Sequence, residues 1–211
     1  PAPPSPRGKA KHTVTSVPPG YKNVPRPAAH LNYSLFNITY LLNKEKFPML
    51  YSTLCYIEKN GKYLMLHRVK KENDANHDKW VGIGGKFEDG ESPEECILRE
   101  TKEETGLTLT AYRYRGIVTF VSDKWETEYM HLFTATGFSG KIIDCDEGVL
   151  EWISKERLAA IPKWQGDDIF LRLLDSDAPF FSLKLRYEGE RLAFAALNGV
   201  PMDIDKPAGN E

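Results

Sequence analysis

Short apolar runs bounded by turn residues dominate the chain from residue 49 onward. LCYI within STLCYIE, 52–58, and YLML within KYLMLHR, 62–68, have the length and aromatic content of buried strands. Asn60-Gly61 lies between them and tolerates the positive φ of a tight turn, so the two runs predict a hairpin. YRYRGIVTFVS, 112–122, and EYMHLFTATGF, 128–138, predict a second antiparallel pair, and GVLEWIS, 148–154, a further strand. In FFSLKLRYEGERLAFAAL, 180–197, apolar and polar residues alternate, with a turn expected at Glu188-Gly189. The period changes to that of a helix at 93–105, and shorter helices are expected at 155–160 and 167–174. Strands interleaved with helices give an α/β (α+β) chain.

Residues 1–48 read differently. Pro1, Pro3, Pro4, Pro6, Pro18, Pro19, Pro25 and Pro27 interrupt the backbone, and no acidic residue precedes Glu45. That composition predicts a disordered extension, with Met49 as a natural start for a domain over 49–199 and a tail over 200–211. The 211 residues carry a formal net charge of -2, which offers no long-range pull on duplex nucleic acid or an acidic membrane. Any anionic ligand has to be held locally. Cys55, Cys96 and Cys145 form neither a CxxC pair nor an even set, which fits a reducing, cytoplasmic setting. No run approaches 18 apolar residues, so no membrane span is expected.

The 93–105 helix is the most fully specified element. Ser92 can cap it, Pro93 suits its first position, Glu95 sits where a capping box wants an acid, and Gly106 supplies a left-handed stop. At 100° per residue, Glu100, Glu103 and Glu104 fall within an arc of about 100°. Cys96 and Ile97 project onto nearly the same arc, so that face looks toward protein. Like charges so spaced repel. A solvated acidic face softened by Arg99 and Lys102 is one reading, and oxygen ligands for Mg²⁺ are the other.

The flanking residues favour the second. Gly85, Glu91, Arg99, Glu100, Glu103, Glu104, Gly106 and Leu107 match G-x5-E-x7-R-E-U-x-E-E-x-G-U, where U is bulky and aliphatic, with Thr101 the one departure. The segment thus resembles the box of the Nudix hydrolases, which cleave nucleoside diphosphates linked to another group using Mg²⁺ or Mn²⁺. The resemblance implies a mixed β-sheet sandwiched between helices. It also implies that Glu100, Glu103 and Glu104 hold metal with the Gly84 carbonyl, one glutamate polarising the attacking water, while Glu91 and Arg99 brace the loop against the helix. Gly84 and Gly85 let the backbone approach metal and phosphate closely, and Lys86 can neutralise phosphate charge. His67, His77 and His131 are expected to be surface or packing residues.

Outside the box the chain is similar to the MutT-like branch typified by 8-oxo-dGTP diphosphatase. WVGIGGK, 80–86, has that branch's glycine before the box and places Ile83 beside Gly84. Phe120 stands where a base-packing phenylalanine does, Glu147 where a distal acid adds a metal ligand, and WQGDD, 164–168, resembles a tryptophan and paired acids that meet a purine. Thr53 and Arg68 line up with positions near the sugar and phosphates. Val81 takes the place of the branch's purine-reading asparagine. Trp164 and Phe120 offer stacking faces, and a buried, protonated carboxyl at Asp167 or Asp168 can donate as well as accept. As ordinary structure, Trp164 would instead be a core aromatic and Asp167 a helix cap. The implied activity is hydrolysis of an oxidised purine nucleoside triphosphate to monophosphate and pyrophosphate. Another Nudix substrate, such as ADP-ribose or a dinucleoside polyphosphate, and a catalytically silent module binding nucleotides or RNA ends are the alternatives.

Overall fold

A computed structural model describes residues 49–70 and 74–204, so the expected extension over 1–48 lies outside the described residues. In chain order the elements are β1 (Leu50–Lys59), β2 (Lys62–His67), β3 (Trp80–Val81), α1 (Pro93–Thr105), β4 (Leu107–Ser122), β5 (Glu128–Gly140), β6 (Val149–Ser154), a 3₁₀ helix (Lys155–Ala160), α2 (Asp167–Asp175), β7 (Phe181–Glu188), β8 (Arg191–Leu197) and β9 (Val200–Pro201). The strands form one mixed sheet in the order β3-β2-β1-β5-β4-β7-β8-β9, with β6 along the other edge of β2. β1 with β5 and β4 with β7 are parallel; the remaining pairs are antiparallel.

Alternation along β1 divides the core in two. Cys55 and Ile57 join Leu64, Leu66, Ile83, Ile97 and Phe133 on the α1 side, whereas Tyr56 joins Met65, Phe120, Trp164, Phe170 and Leu185 on the α2 side. The sheet is therefore packed between helices, as a layered α+β domain requires.

Asn60 and Gly61 both take positive φ, 51° and 72°, and close the first hairpin. The last hairpin turns one residue later than expected. Glu188 pairs with Arg191, which leaves Gly189 and Glu190 as the loop, because the glycine supplies the positive φ at the first loop position. β4 begins at Leu107, directly after the cap of α1, five residues before its apolar pattern becomes regular. Register shifts between Leu109 and Tyr112 and again between Tyr114 and Gly116 break the alternation there. The two-residue strands β3 and β9 are too short to carry a period.

Candidate active site

The site begins where β1 and β2 part. They pair only over Ile57–Lys59 and Lys62–Leu64; farther along β2 its partner on that edge is β3. The chain then returns along β1. Cys55 N–H donates to Ile83 O at 2.6 Å, Ile83 N–H to Cys55 O at 2.9 Å, and Thr53 N–H to Gly85 O at 2.8 Å. This puts Gly84 and Gly85 between β1 and α1, where no side chain fits. A Cβ on Gly84, whose φ is 153°, would lie 2.1 Å from Thr53 O, and one on Gly85 would lie 2.4 Å from the Glu100 carboxyl. The glycines thus permit a carboxylate to rest directly on the backbone.

α1 presents that carboxylate. Every capping feature expected is present: Glu95 N–H donates to Ser92 Oγ, Ser92 N–H to Glu95 Oε2, and Gly106 is left-handed. Cys96, Ile97 and Thr101 are fully buried and fix which side of the helix faces the sheet. One turn further on, Glu104 is 8% exposed, and its Oε2 accepts from Gly84 N–H at 3.1 Å. Thr53, also buried, contacts the Cys96 thiol through its hydroxyl at 3.4 Å.

Arg99 ties the loop and helix together. Its Nε and Nη2 donate to Glu91 at 2.6 and 2.9 Å, Nη1 donates to Glu100 at 2.9 Å and Glu103 at 3.1 Å, and Nη2 also reaches Lys86 O at 3.1 Å. The guanidinium beside Glu91 holds that carboxyl down to about 2. Lys86 itself is exposed.

The inner carboxyls go the opposite way. Burial pushes Glu104 up to about 8, with Glu147 and Glu100 adding like charge, and burial also raises Glu100. These are hard oxygen donors under mutual repulsion beside a bare backbone, a donor set that fits Mg²⁺ or Mn²⁺. The two outer acids are engaged with cationic side chains instead. Glu103 leans on Arg99, and Glu147 forms an ion pair with Arg68, which also holds Asp74. Accordingly, among the described residues no three His, Cys, Asp or Glu converge closely enough to enclose an ion.

A second group of predicted residues meets on the α2 side. Phe120, Trp164 and Tyr187 pack edge to face or tilted, with centroids 4.9 to 5.3 Å apart. Trp164 is 7% exposed and packs with the core on this side of the sheet. Asp167 is not the cap of α2; Gly166 is, and Asp167 is the first helical residue. Its carboxyl is buried, which raises it to about 8 against the pull of Lys163. Asp168 is more exposed and pairs with Lys163 Nζ at 3.1 Å. Val81 is not brought to this group: it lies opposite Leu66 and packs into the α1-side core.

Three residues here carry no signal in the sequence. Asn76 Oδ1 accepts from the Trp164 indole N–H at 2.8 Å, Lys79 Nζ stands 4.6 Å from the centre of that ring, and Tyr187 OH accepts from Gly166 N–H at 2.7 Å. Asn76 and Lys79 sit in a loop with no period, and Tyr187 is marked only as one apolar position of the last hairpin. His67 stacks on Trp80 and pairs with Asp78, and His131 packs on Phe87 and Tyr114, both as packing residues. A cavity of 340 Å³ at the far end of β1 holds none of the predicted residues; its cations Arg113, Arg115 and Lys155 pair with Asp177, Asp175 and Glu58.

Residues 50–174 match the NUDIX domain. The chain is 30% identical over 124 residues to the oxidized purine nucleoside triphosphate hydrolase of Danio rerio, covering 58% of this chain and 77% of that one. It is 28% identical over 110 residues to the CTP pyrophosphohydrolase of Escherichia coli (strain K12), covering 50% and 76%. Among solved structures, the mutator MutT protein from Bacillus halodurans superposes with a TM-score of 0.62 at 26% identity, covering 72% of this chain and 99% of its own. No described helix is long and apolar enough to cross a membrane.

Proposed function

The chain belongs to the Nudix hydrolase family, and on that premise we propose that it is a Mg²⁺- or Mn²⁺-dependent pyrophosphohydrolase of oxidised purine nucleoside triphosphates such as 8-oxo-dGTP, releasing monophosphate and pyrophosphate. The observation that carries hydrolysis is the seating of Glu100 and Glu104 against Gly85 and Gly84. Glu100, Glu103 and Glu104 hold the divalent ion, joined by the Gly84 carbonyl and by Glu147 from the loop before β6. The ion supplies charge neutralisation for the phosphates and an activated water.

The chain's own groups do the positioning. Arg99 keeps Glu91 and the helix locked to the loop, so the carboxylates stay aimed while they exchange partners. Lys86 is exposed on the same loop and meets the phosphates, with Arg68 near them, whereas the side chains of Thr53 and Ile83, expected at the substrate, are buried and serve the loop from beneath. Asp167, held protonated by burial, donates to a base as well as accepting from it, and Asp168, Trp164 and Phe120 form the surrounding wall. The relationship to the Danio rerio enzyme supports the purine substrate. Product analysis on 8-oxo-dGTP, dGTP, CTP and ADP-ribose, with Glu104→Gln as control, tests the reading. Monophosphate and pyrophosphate from 8-oxo-dGTP, at a kcat/KM above that for dGTP, is the expected result; equal rates on all four would overturn the substrate assignment.

A further inference from the structure

Trp164 is surrounded by polar groups that packing alone does not require. Its N–H is committed to Asn76, which fixes the plane of the indole, while Phe120 and Tyr187 close its sides. The Lys79 ammonium covers the ring from above. Lys79 is only 15% exposed along its side chain, and its counter-ion is Glu190, 75% exposed on the loop between β7 and β8, at 3.2 Å. An ion pair with so exposed a carboxylate contributes little, and a cation over an indole at a partly open site is held only weakly. Lys79 is therefore placed by the fold and weakly held, a combination that lets the ammonium change partners.

The position expected to read a purine, Val81, is turned into the other core and has no hydrogen-bonding atom in its side chain. The charged groups acting on Asp167, three residues from Trp164, are Lys79, Lys163 and Asp168; of the two lysines, Lys163 is occupied by Asp168 and Leu158 O. That leaves Lys79, whose ammonium lies over the ring, as the cationic donor available to a base there. An ammonium has three donors and no acceptor. It satisfies a base that presents a carbonyl oxygen and cannot satisfy one that presents an amino group at the same place.

Resting on the function proposed above, we infer that Lys79 determines base specificity: a base arriving at Trp164 draws the ammonium away from Glu190 and onto a carbonyl oxygen at its edge, so keto purines are preferred over amino purines. Glu190 holds the ammonium where that oxygen would take it over. The loop 74–79, with Asn76 orienting the tryptophan and Lys79 meeting the base, takes over the reading that strand β3 does not provide.

Steady-state kinetics on 8-oxo-dGTP, dGTP and dATP with the full chain, Mg²⁺ and the variants Lys79→Met, Lys79→Arg and Glu190→Gln tests this. Lys79→Met is expected to raise KM for the two keto nucleotides at least tenfold with kcat within threefold, and to leave dATP within twofold. Lys79→Arg recovers most of the loss, and Glu190→Gln lowers the keto KM about twofold. Should Lys79→Met not fold, as judged by thermal melting, Lys79→Leu carries the same expectation. An equal loss on dATP, no loss at all, or a Glu190→Gln defect as large as that of Lys79→Met overturns the inference and leaves the hydrolase reading standing. A parent protein that turns over none of the nucleotides defeats that reading itself.

Discussion

The two faces of the sheet carry chemistry built in opposite ways. On the α1 side most of the chemical groups, Glu147 and Arg68 apart, come from one continuous stretch, 84–107, and are held by local rules: a capping box, a left-handed stop, two glycines and one arginine spanning Glu91 to Glu103. On the α2 side Phe120, Trp164, Asp167, Tyr187 and Lys79 come from separate parts of the chain and meet only because β4, β7 and α2 pack together. The first arrangement tolerates little change, since its parts are separated by one helical turn or one peptide. In the second, side chains of different length can occupy the same space, which suits a surface that selects among bases.

The largest separation between the two sides should come from removing one carboxylate. Glu104→Gln keeps the shape and the acceptor for Gly84 N–H but removes the charge an ion needs, so kcat should fall about 10²–10⁴-fold with little change in folding. Trp164→Phe, by contrast, should raise KM several-fold and spare kcat. Pre-steady-state and steady-state rates on 8-oxo-dGTP would check both; a Trp164 variant with the larger kcat defect would reverse the assignment of roles.

Next comes the backbone itself. Gly84→Ala places a methyl 2.1 Å from Thr53 O, against a strand rather than a side chain, and should cost about 3 kcal/mol or more. Gly61→Ala meets nothing within 4 Å and has only its φ of 72° to contend with, for about 1 kcal/mol. Urea unfolding of the two variants measures the contrast. Comparable losses would mean that the approach of 82–86 to β1 is not what fixes the site.

That contrast also explains what can be read from the chain. The helix caps, the glycine pair and the Glu91–Arg99 brace all lie between residues 84 and 107, and spacing is enough to place them. The orientation of Val81 is not written there. It depends on β3 pairing Val81 with Leu66, a two-residue strand with no period of its own. Lys79 and Asn76 are hidden for the same reason, being loop residues whose only signal is the tryptophan 88 residues from Asn76. The start of β4 is obscured by bulges, which shift the alternation that marks a strand.

The pH response should separate the faces again. Asp167 has its folded pKa raised from an ordinary 3.8 to about 8 by burial. Below pH 4 the carboxyl is protonated in both folded and unfolded chains, and the native state keeps its full advantage from this group. Between pH 4 and 8 the unfolded chain has lost the proton and the native one retains it, so stability falls as pH rises, by up to about 1.4 kcal/mol per pH unit from this group. Asp167→Asn removes the slope. The variant should gain on the parent steadily from pH 5 to pH 8 in thermal or urea melts, and parallel curves would show that Asp167 ionises normally in the fold.

The smallest expected effect tests the one place where the box departs from its pattern. Thr101 is fully buried at a position that otherwise takes an aliphatic side chain, and among the described residues its hydroxyl has no hydrogen-bond partner. Valine has the same shape with a methyl in place of the orphaned oxygen. Thr101→Val should therefore stabilise the protein by about 1 kcal/mol, while kcat stays unchanged because the side chain is buried on the α1 side and makes no hydrogen bond to Glu100 or Glu104. A loss of stability would mean that the hydroxyl is satisfied in solution. A change in kcat without a change in stability would place Thr101 among the groups that aim the carboxylates, and the rigid face would then extend one layer deeper than its hydrogen bonds suggest.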